Sequence, residues 1–225
     1  MRVVSLVPSV TETLLAWGVT PVAVTRFCEH PELVQVGGTK DPDVAAIVTL
    51  APDLVVVNDE ENRKEDFDAL ERAGLNVHVV RIETVDDVAP AMEALAGAVG
   101  ASAPAFTLPA PRSRRVRAFV PIWRRPWMTM NAETYGSSVL AHLGVTNVFA
   151  DAPTRYPTVT LDAVARERVD VVLAPTEPYP FSARHEAELG TIAPVTFVDG
   201  QDLFWWGART PDALQRLGAQ LASLG

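Results

Sequence analysis

Asp43-Val44-Ala45-Ala46-Ile47-Val48-Thr49-Leu50-Ala51-Pro52-Asp53-Leu54-Val55-Val56-Val57 and Thr160-Leu161-Asp162-Ala163-Val164-Ala165-Arg166-Glu167-Arg168-Val169-Asp170-Val171-Val172-Leu173-Ala174 carry one pattern twice. Aligning Asp53 with Asp170 also puts Ile47 on Val164, an offset of 117 residues. Each copy predicts a short amphipathic helix, a tight turn and an apolar strand that begins after an aspartate. The runs upstream agree in kind, since Val3 to Pro8 and Val116 to Pro121 both read as apolar strands stopped by proline. Two similar α/β lobes joined in the middle are the expected architecture, with a ligand cleft between them.

Working outward from the first copy, Ser9-Val10-Thr11-Glu12 has the form of a capping box and predicts a helix through Trp17, ended by Gly18. A strand is expected at Val22 to Thr25, then a loop from Arg26 to Lys40. After Val57 the polar turn Asn58-Asp59-Glu60-Glu61-Asn62 leads to a helix from about Arg63 to Ala73, and Val77 to Val80 reads as a strand. Thr84 opens a helix running towards Val99. Pro104, Pro109 and Pro111 cannot continue it, so Ala101 to Arg114 is expected to be an extended strap. Around the second copy the pattern predicts a helix from Ala132 to Leu143 capped by Asn131. A helix near Ser182 to Leu189, a strand at Val195 to Val198 and a last helix from Thr210 to Leu224 follow. Strands alternating with helices predict mostly parallel sheets in Rossmann-like lobes joined by a helical linker. The expected divisions are 1–83 for the N-terminal lobe, 84–114 for the linker and 115–225 for the C-terminal lobe.

Composition narrows the function classes. A net charge of −9 over 225 residues argues against nucleic acid, which needs a basic face. The basic run from Arg112 to Arg117 reads as a solvated start to a strand. The longest apolar stretch, Ala91 to Ala101, is broken by Glu93 and two glycines and is too short to span a membrane. Cys28 stands alone, so no internal disulfide forms. Met1-Arg2 runs straight into the first strand with no secretory signal pattern. That predicts a cytoplasmic protein, or a periplasmic or extracellular one if a leader has been removed.

Taken together, Ser5-Leu6-Val7-Pro8-Ser9 with Thr11-Glu12, Ile47 with Leu50-Ala51-Pro52-Asp53-Leu54-Val55, Tyr156-Pro157 with Val159, and Leu203 to Arg209 resemble one family. They are similar to the helical-backbone (class III) periplasmic binding proteins, the substrate-binding proteins of ABC transporters, in the cobalamin-binding and metal-chelate-binding branch. The motifs span nearly the whole chain in order. The resemblance implies a binding protein rather than an enzyme, with a compact chelated ligand held between two lobes. In that family one acidic residue on each lobe usually docks to the transporter permease. Asp162 matches in the second lobe, but Ala45 stands at the corresponding place in the first. With the missing leader, this makes an ABC permease partner doubtful.

Ligand contacts in such a fold come from loops at the carboxyl ends of strands. Candidates in the first lobe are Pro8, Ser9, Phe27, His30, Thr39 and Asn58. In the second they are Trp123, Trp127, Tyr156, Phe204, Trp205 and Arg209. Four of the five tryptophans fall in second-lobe segments read as loops, where large rigid aromatics suit the flat face of a macrocycle. The plainer alternative is that Trp123 and Trp127 only cover the sheet end. Cys28-x-His30 invites a metal reading, but residues two apart in an extended loop point opposite ways. No resident metal or cofactor is expected; His30 could still meet a metal that the ligand brings. Gly37-Gly38 reads as a turn, and no serine has a His and Asp arranged for nucleophilic catalysis. The leading expectation is a non-catalytic binder of a corrinoid or related metal chelate. The alternatives are a siderophore or haem binder of the same fold, which would need basic residues facing its anionic ligand, and an enzyme acting on such a ligand. Arg26, Lys40, Arg124, Arg125 and Arg209 are the cations that could decide it.

Overall fold

Both repeat copies fold as helix, turn and buried strand in a computed structural model that describes residues 1–113 and 116–222. The chain divides into two compact units. The first comprises Met1–Ile82, Asp86–Phe106 and Trp206–Ala208; the second comprises Glu83–Val85, Thr107–Trp205 and the chain from Arg209 on.

The first unit contains β1 (Val3–Ser5), α1 (Pro8–Ala16), β2 (Ala23–Val24), β3 (Val34–Gln35), β4 (Gly37–Gly38), β5 (Asp41–Pro42), α2 (Val44–Thr49), β6 (Leu54–Asn58), α3 (Lys64–Arg72), β7 (Val77–Val80) and α4 (Val88–Val99). Its main sheet runs β3-β2-β1-β6-β7, all parallel. All five residues of β6 are buried, which explains a continuous apolar run instead of an alternating one. Leu6, Ile47, Val55 and Leu70 anchor the core.

The second unit contains β8 (Val116–Phe119), β9 (Trp123–Arg124), β10 (Trp127–Met128), α5 (Tyr135–His142), β11 (Val145–Asn147), α6 (Leu161–Ala165), β12 (Val171–Pro175), α7 (Glu186–Leu189), β13 (Val195–Val198), α8 (Gly200–Phe204) and α9 (Thr210–Leu221). The parallel order β11-β8-β12-β13 repeats the β2-β1-β6-β7 order of the first unit. Phe119, Val164, Val172 and Leu189 lie at its centre.

Several expectations are corrected. The capping box at Ser9 does not form: α1 begins two residues earlier, with Val7 as its N-cap and Pro8 in its first turn, and Ser9 lies inside the helix. Proline is favoured there because its missing N–H would have no partner anyway. The Arg26 to Lys40 segment is not a plain loop, since it contains β3 and β4, and β4 makes a ribbon with β5. The helix expected from Ala132 starts at Tyr135, because Thr134 rather than Asn131 accepts the first-turn N–H, from Ser137 at 3.4 Å. Phe204 closes α8 and is not in a loop. Trp123 and Trp127 are likewise on paired strands of an antiparallel ribbon.

The helix opened near Thr84 ends where glycine allows the left-handed turn, Gly100 at φ 67. Residues 101–113 then carry no regular structure. Arg112 ties this strap to the second unit through its N–H to His142 O (2.9 Å) and its guanidinium to Gly218 O (2.5 Å). Leu224, expected at the end of the last helix, and Arg114-Arg115 of the basic run lie outside the described residues.

Candidate functional site

At the carboxyl edge of the first sheet the polar side chains are largely spent on the fold. Asn58 is buried; its amide donates to Val80 O at 3.0 Å and its oxygen accepts the N–H groups of Glu60 and Glu61, both at 2.9 Å. Asn62 accepts the Asn58 N–H at 2.8 Å and donates to Leu6 O (3.2 Å) and Thr39 O (2.9 Å). It therefore ties together the ends of β1, β4 and β6. Sequence reasoning missed Asn62, although Asn at both ends of a five-residue turn after a strand is a readable signal for such bonding. Thr39 contributes its carbonyl to this knot, and Pro8 is buried at the start of α1. Ser9 is buried with no hydrogen-bond partner for Oγ among the described residues.

Phe27 is the exposed aromatic of this edge, 51% accessible. The Arg26 guanidinium lies 4.9 Å from its ring centre and is held by Asp41 at 2.9 Å. Cys28 and His30 diverge, as Glu29 between them takes φ 56. Cys28 is buried against Thr11 and Thr25, each 3.2 Å from Sγ, and burial pushes its thiol pKa up. His30 pairs at the surface with Glu32 at 2.9 Å. The two do not form a metal pair, and no cluster of three ligating side chains occurs among the described residues. A 360 Å³ cavity opens between the end of β6 and the start of α3, floored by Val57, Phe67 and Val79.

The second unit presents an aromatic face. Trp127 stacks on Phe181 at 6.0 Å and 7° between planes, and Tyr179 touches Phe181 at 4.7 Å. Trp123 meets Tyr179 edge-on at 5.6 Å and remains 45% exposed. The β9–β10 ribbon supplies the tryptophans, and the segment after β12 supplies Tyr179 and Phe181. Trp127 and Trp123 thus cover part of the sheet end, yet the Trp123 ring still faces solvent. Tyr156, 39% exposed, sits on a segment that runs beside the ribbon through Thr129 N–H to Pro157 O (3.1 Å) and Val159 N–H to Trp127 O (2.9 Å).

Further along, Trp205 follows α8 with the Arg209 guanidinium 5.2 Å from its ring. Arg209 donates to Asp202 (3.3 Å) and Gln201 (3.1 Å), while Arg216 binds the same buried Asp202 at 2.6 and 2.7 Å. Phe204 packs over Gly136, where an added Cβ would come within 2.8 Å of its ring. Trp206 is buried and belongs to the first unit. Asp162 is exposed in the first turn of α6, on the rim of a 560 Å³ groove bounded by Arg125, Pro126 and Trp127.

A family model described as periplasmic binding protein matches residues 3–188. The chain belongs to that family. Curated relatives include the vitamin B12-binding protein of Vibrio cholerae serotype O1, 26% identical over 190 residues, covering 76% of this chain and 69% of the relative. The vitamin B12-binding protein of Salmonella paratyphi A is 27% identical over 193 residues, covering 77% and 72%. Among solved structures, the periplasmic vitamin B12 binding protein BtuF of Vibrio cholerae superposes with TM-score 0.78 at 21% identity, over 99% of this chain and 97% of that one. The periplasmic heme binding protein HutB of Vibrio cholerae gives 0.77 at 19%, over 98% of both. The family resemblance carried by the sequence motifs and the two-lobed parallel α/β class are therefore right. The expectation of a cytoplasmic protein gains no support, since this family and these relatives are periplasmic binding proteins.

The cations that were to separate ligand classes are mostly engaged within this family member. Arg26 is paired with Asp41, Arg124 with Glu188 at 2.8 Å and Arg209 with Asp202. Lys40 donates to Glu60 O at 2.6 Å.

Proposed function

We propose that the protein binds a corrinoid, or a related metal chelate of low net charge, and does so without turning it over. The aromatic face of Trp123, Tyr179, Phe181 and Trp127 is the observation that carries this reading. Its exposed ring offers the flat apolar contact a macrocycle needs, with each buried aromatic contributing roughly 150–250 Å². The charge pattern favours the same class. An anionic chelate would draw on the nearby cations, but Arg124, beside Tyr179, is already committed to Glu188. The curated relatives named as vitamin B12-binding proteins support the corrinoid within this class. Trp205 and Tyr156 extend the contact set, and Arg209 acts on it by holding Trp205. A haem or siderophore rests on fold likeness alone and finds fewer uncommitted cations.

Calorimetric titration with cyanocobalamin tests the reading. One-to-one binding, with the corrinoid recovered chemically unchanged, is expected. Glu188→Gln releases Arg124 and should raise affinity for a carboxylated chelate such as haem without improving cobalamin. Absence of cobalamin binding would overturn the corrinoid assignment, and a changed corrinoid would overturn the non-catalytic one.

The family makes a periplasmic location the better expectation. Transporter docking through paired acids is not expected, because α6 offers Asp162 at the surface whereas the matching position in α2 is Ala45. Co-purification of this protein with a membrane permease would contradict that.

A further inference from the structure

His185 is 3% exposed and lies beneath the aromatic face, outside the set of ligand contacts described above. Its ring meets Tyr179 at 5.5 Å and Phe181 at 5.4 Å, both edge-on. Those two rings support Trp123 and Trp127 respectively. His185 also occupies the third place of a capping box: Nδ1 accepts the Ser182 backbone N–H at 3.1 Å, closing the one-turn 3₁₀ helix Ala183–His185. Glutamate or glutamine is the usual residue there. The choice of histidine makes the cap titratable.

The surroundings oppose a second proton on that ring. Within its own turn the Arg184 Nε lies 3.3 Å from Nε2. From the β9–β10 ribbon comes Arg124, with the Tyr179 hydroxyl beside it. The Glu188 carboxylate on α7 would favour a charged imidazole, but Arg124 holds it at 2.8 Å. Burial, then Arg184 and Arg124, push the His185 pKa below the ordinary imidazole value. A neutral ring can accept at one nitrogen and a protonated ring at neither. Protonation therefore removes the acceptor from the Ser182 N–H and adds a third cation beside two arginines.

We infer that His185 is a positioning residue for the aromatic face, and that it holds Tyr179 and Phe181 in place only as the neutral imidazole. Acid then loosens the segment from Ser182 back to Tyr179 and weakens whatever stacks on that face. The ligand part rests on the function proposed above; the positioning part does not.

Two measurements separate them. In the ligand-free protein, the near-ultraviolet circular dichroism of the tryptophans is followed from pH 7.5 downward to the onset of acid unfolding. The wild type should lose aromatic signal on acidification while keeping its far-ultraviolet spectrum, and His185→Gln should not. Glutamine completes the cap and carries no titrating ring. An identical acid response in both proteins, or none in the wild type, overturns the positioning role. If His185→Gln does not fold, NMR titration of the wild-type His185 ring decides. Its transition must coincide with shifts of the Trp123 and Trp127 indole signals, and titration of the ring without them overturns the role.

The second measurement is cyanocobalamin affinity over the same range. A loss of about fivefold or more on acidification is expected for the wild type, the lower end of ordinary linkage between two ligands, with a flat profile for His185→Gln. His30 is present in both proteins and so cannot produce that difference. An affinity that is flat or rises in acid, as a favourable imidazolium–aromatic contact would cause, overturns the acid coupling. No cobalamin binding at any pH, with the circular dichroism result intact, overturns the ligand assignment and leaves the positioning role standing.

Discussion

The Asp53 carboxylate accepts the backbone N–H of Arg2 at 2.6 Å, and 117 residues on Asp170 does the same for Arg117 at 2.8 Å. Each arginine then folds back on a carbonyl of the preceding turn, Leu50 O at 2.8 Å and Glu167 O at 2.7 Å. Both turns pass through the left-handed region at a residue with a side chain, Ala51 at φ 43 and Arg168 at φ 52. The repeat is therefore one of backbone conformation and hydrogen bonding as well as of letters.

That shared turn holds strain. An L-residue in the left-handed region costs about 1–2 kcal/mol, which glycine avoids, although glycine gives up some of it through its freer unfolded chain. Ala51→Gly and Arg168→Gly should each stabilise the protein by about 0.5–1 kcal/mol. Urea unfolding midpoints check this, and a lowered midpoint for both variants would refute it.

Gly218 makes room for Arg112, since an added Cβ would lie 2.7 Å from the guanidinium. Gly218→Ala should detach the strap from α9, cost about 1 kcal/mol for the lost hydrogen bond and speed hydrogen exchange at the Arg112 amide. Unchanged exchange there would show that the strap is held without the Gly218 contact, by His142 through its carbonyl and its ring against Pro109 O.

Trp205 and Tyr156 carry the affinity prediction outside the stacked cluster. Replacing either with alanine should weaken cobalamin binding by roughly 1–3 kcal/mol, the scale of losing an aromatic anchor. Folded variants that bind as tightly as the parent would remove both residues from the site.

Acid should also destabilise the fold. His78 in β7 and His185 both have pKa values pushed down by burial. Below the ordinary imidazole pKa, near 6.5, the unfolded chain takes up protons that these folded rings resist. The stabilisation is thus present above that pH and is lost as pH falls through the depressed folded values. Thermal unfolding midpoints should drop between about pH 7 and 5, and the drop should shrink in His78→Gln. A midpoint independent of pH across that range would contradict this.

The buried strands were legible because the first four residues of β6 and of β12 are unbroken runs of Val, Leu and Ala with no charge. The three-residue strand β11 was not, as Val145-Thr146-Asn147 is too short to show a period. Helix α8 hid behind Asp199-Gly200, which reads as a turn until Asp199 is seen to cap it by accepting the Gln201 N–H. At the candidate site the aromatic residue types were legible but their support was not. Trp123 rests on Tyr179 and Arg124 on Glu188, partners far apart in sequence that no local pattern brings together. Arg26, Arg124 and Arg209, weighed as cations that could face an anionic ligand, proved to have carboxylate partners within the chain.

Whether the protein takes a macrocyclic chelate of low net charge is decided by paired visible titrations. Aquocobalamin and haemin are each titrated into the protein at equal concentrations and neutral pH. A corrinoid binder should give a saturable change in the corrin bands that ends at one equivalent, and no saturable change for haemin. Saturation by haemin with an unperturbed corrin spectrum would contradict the corrinoid assignment.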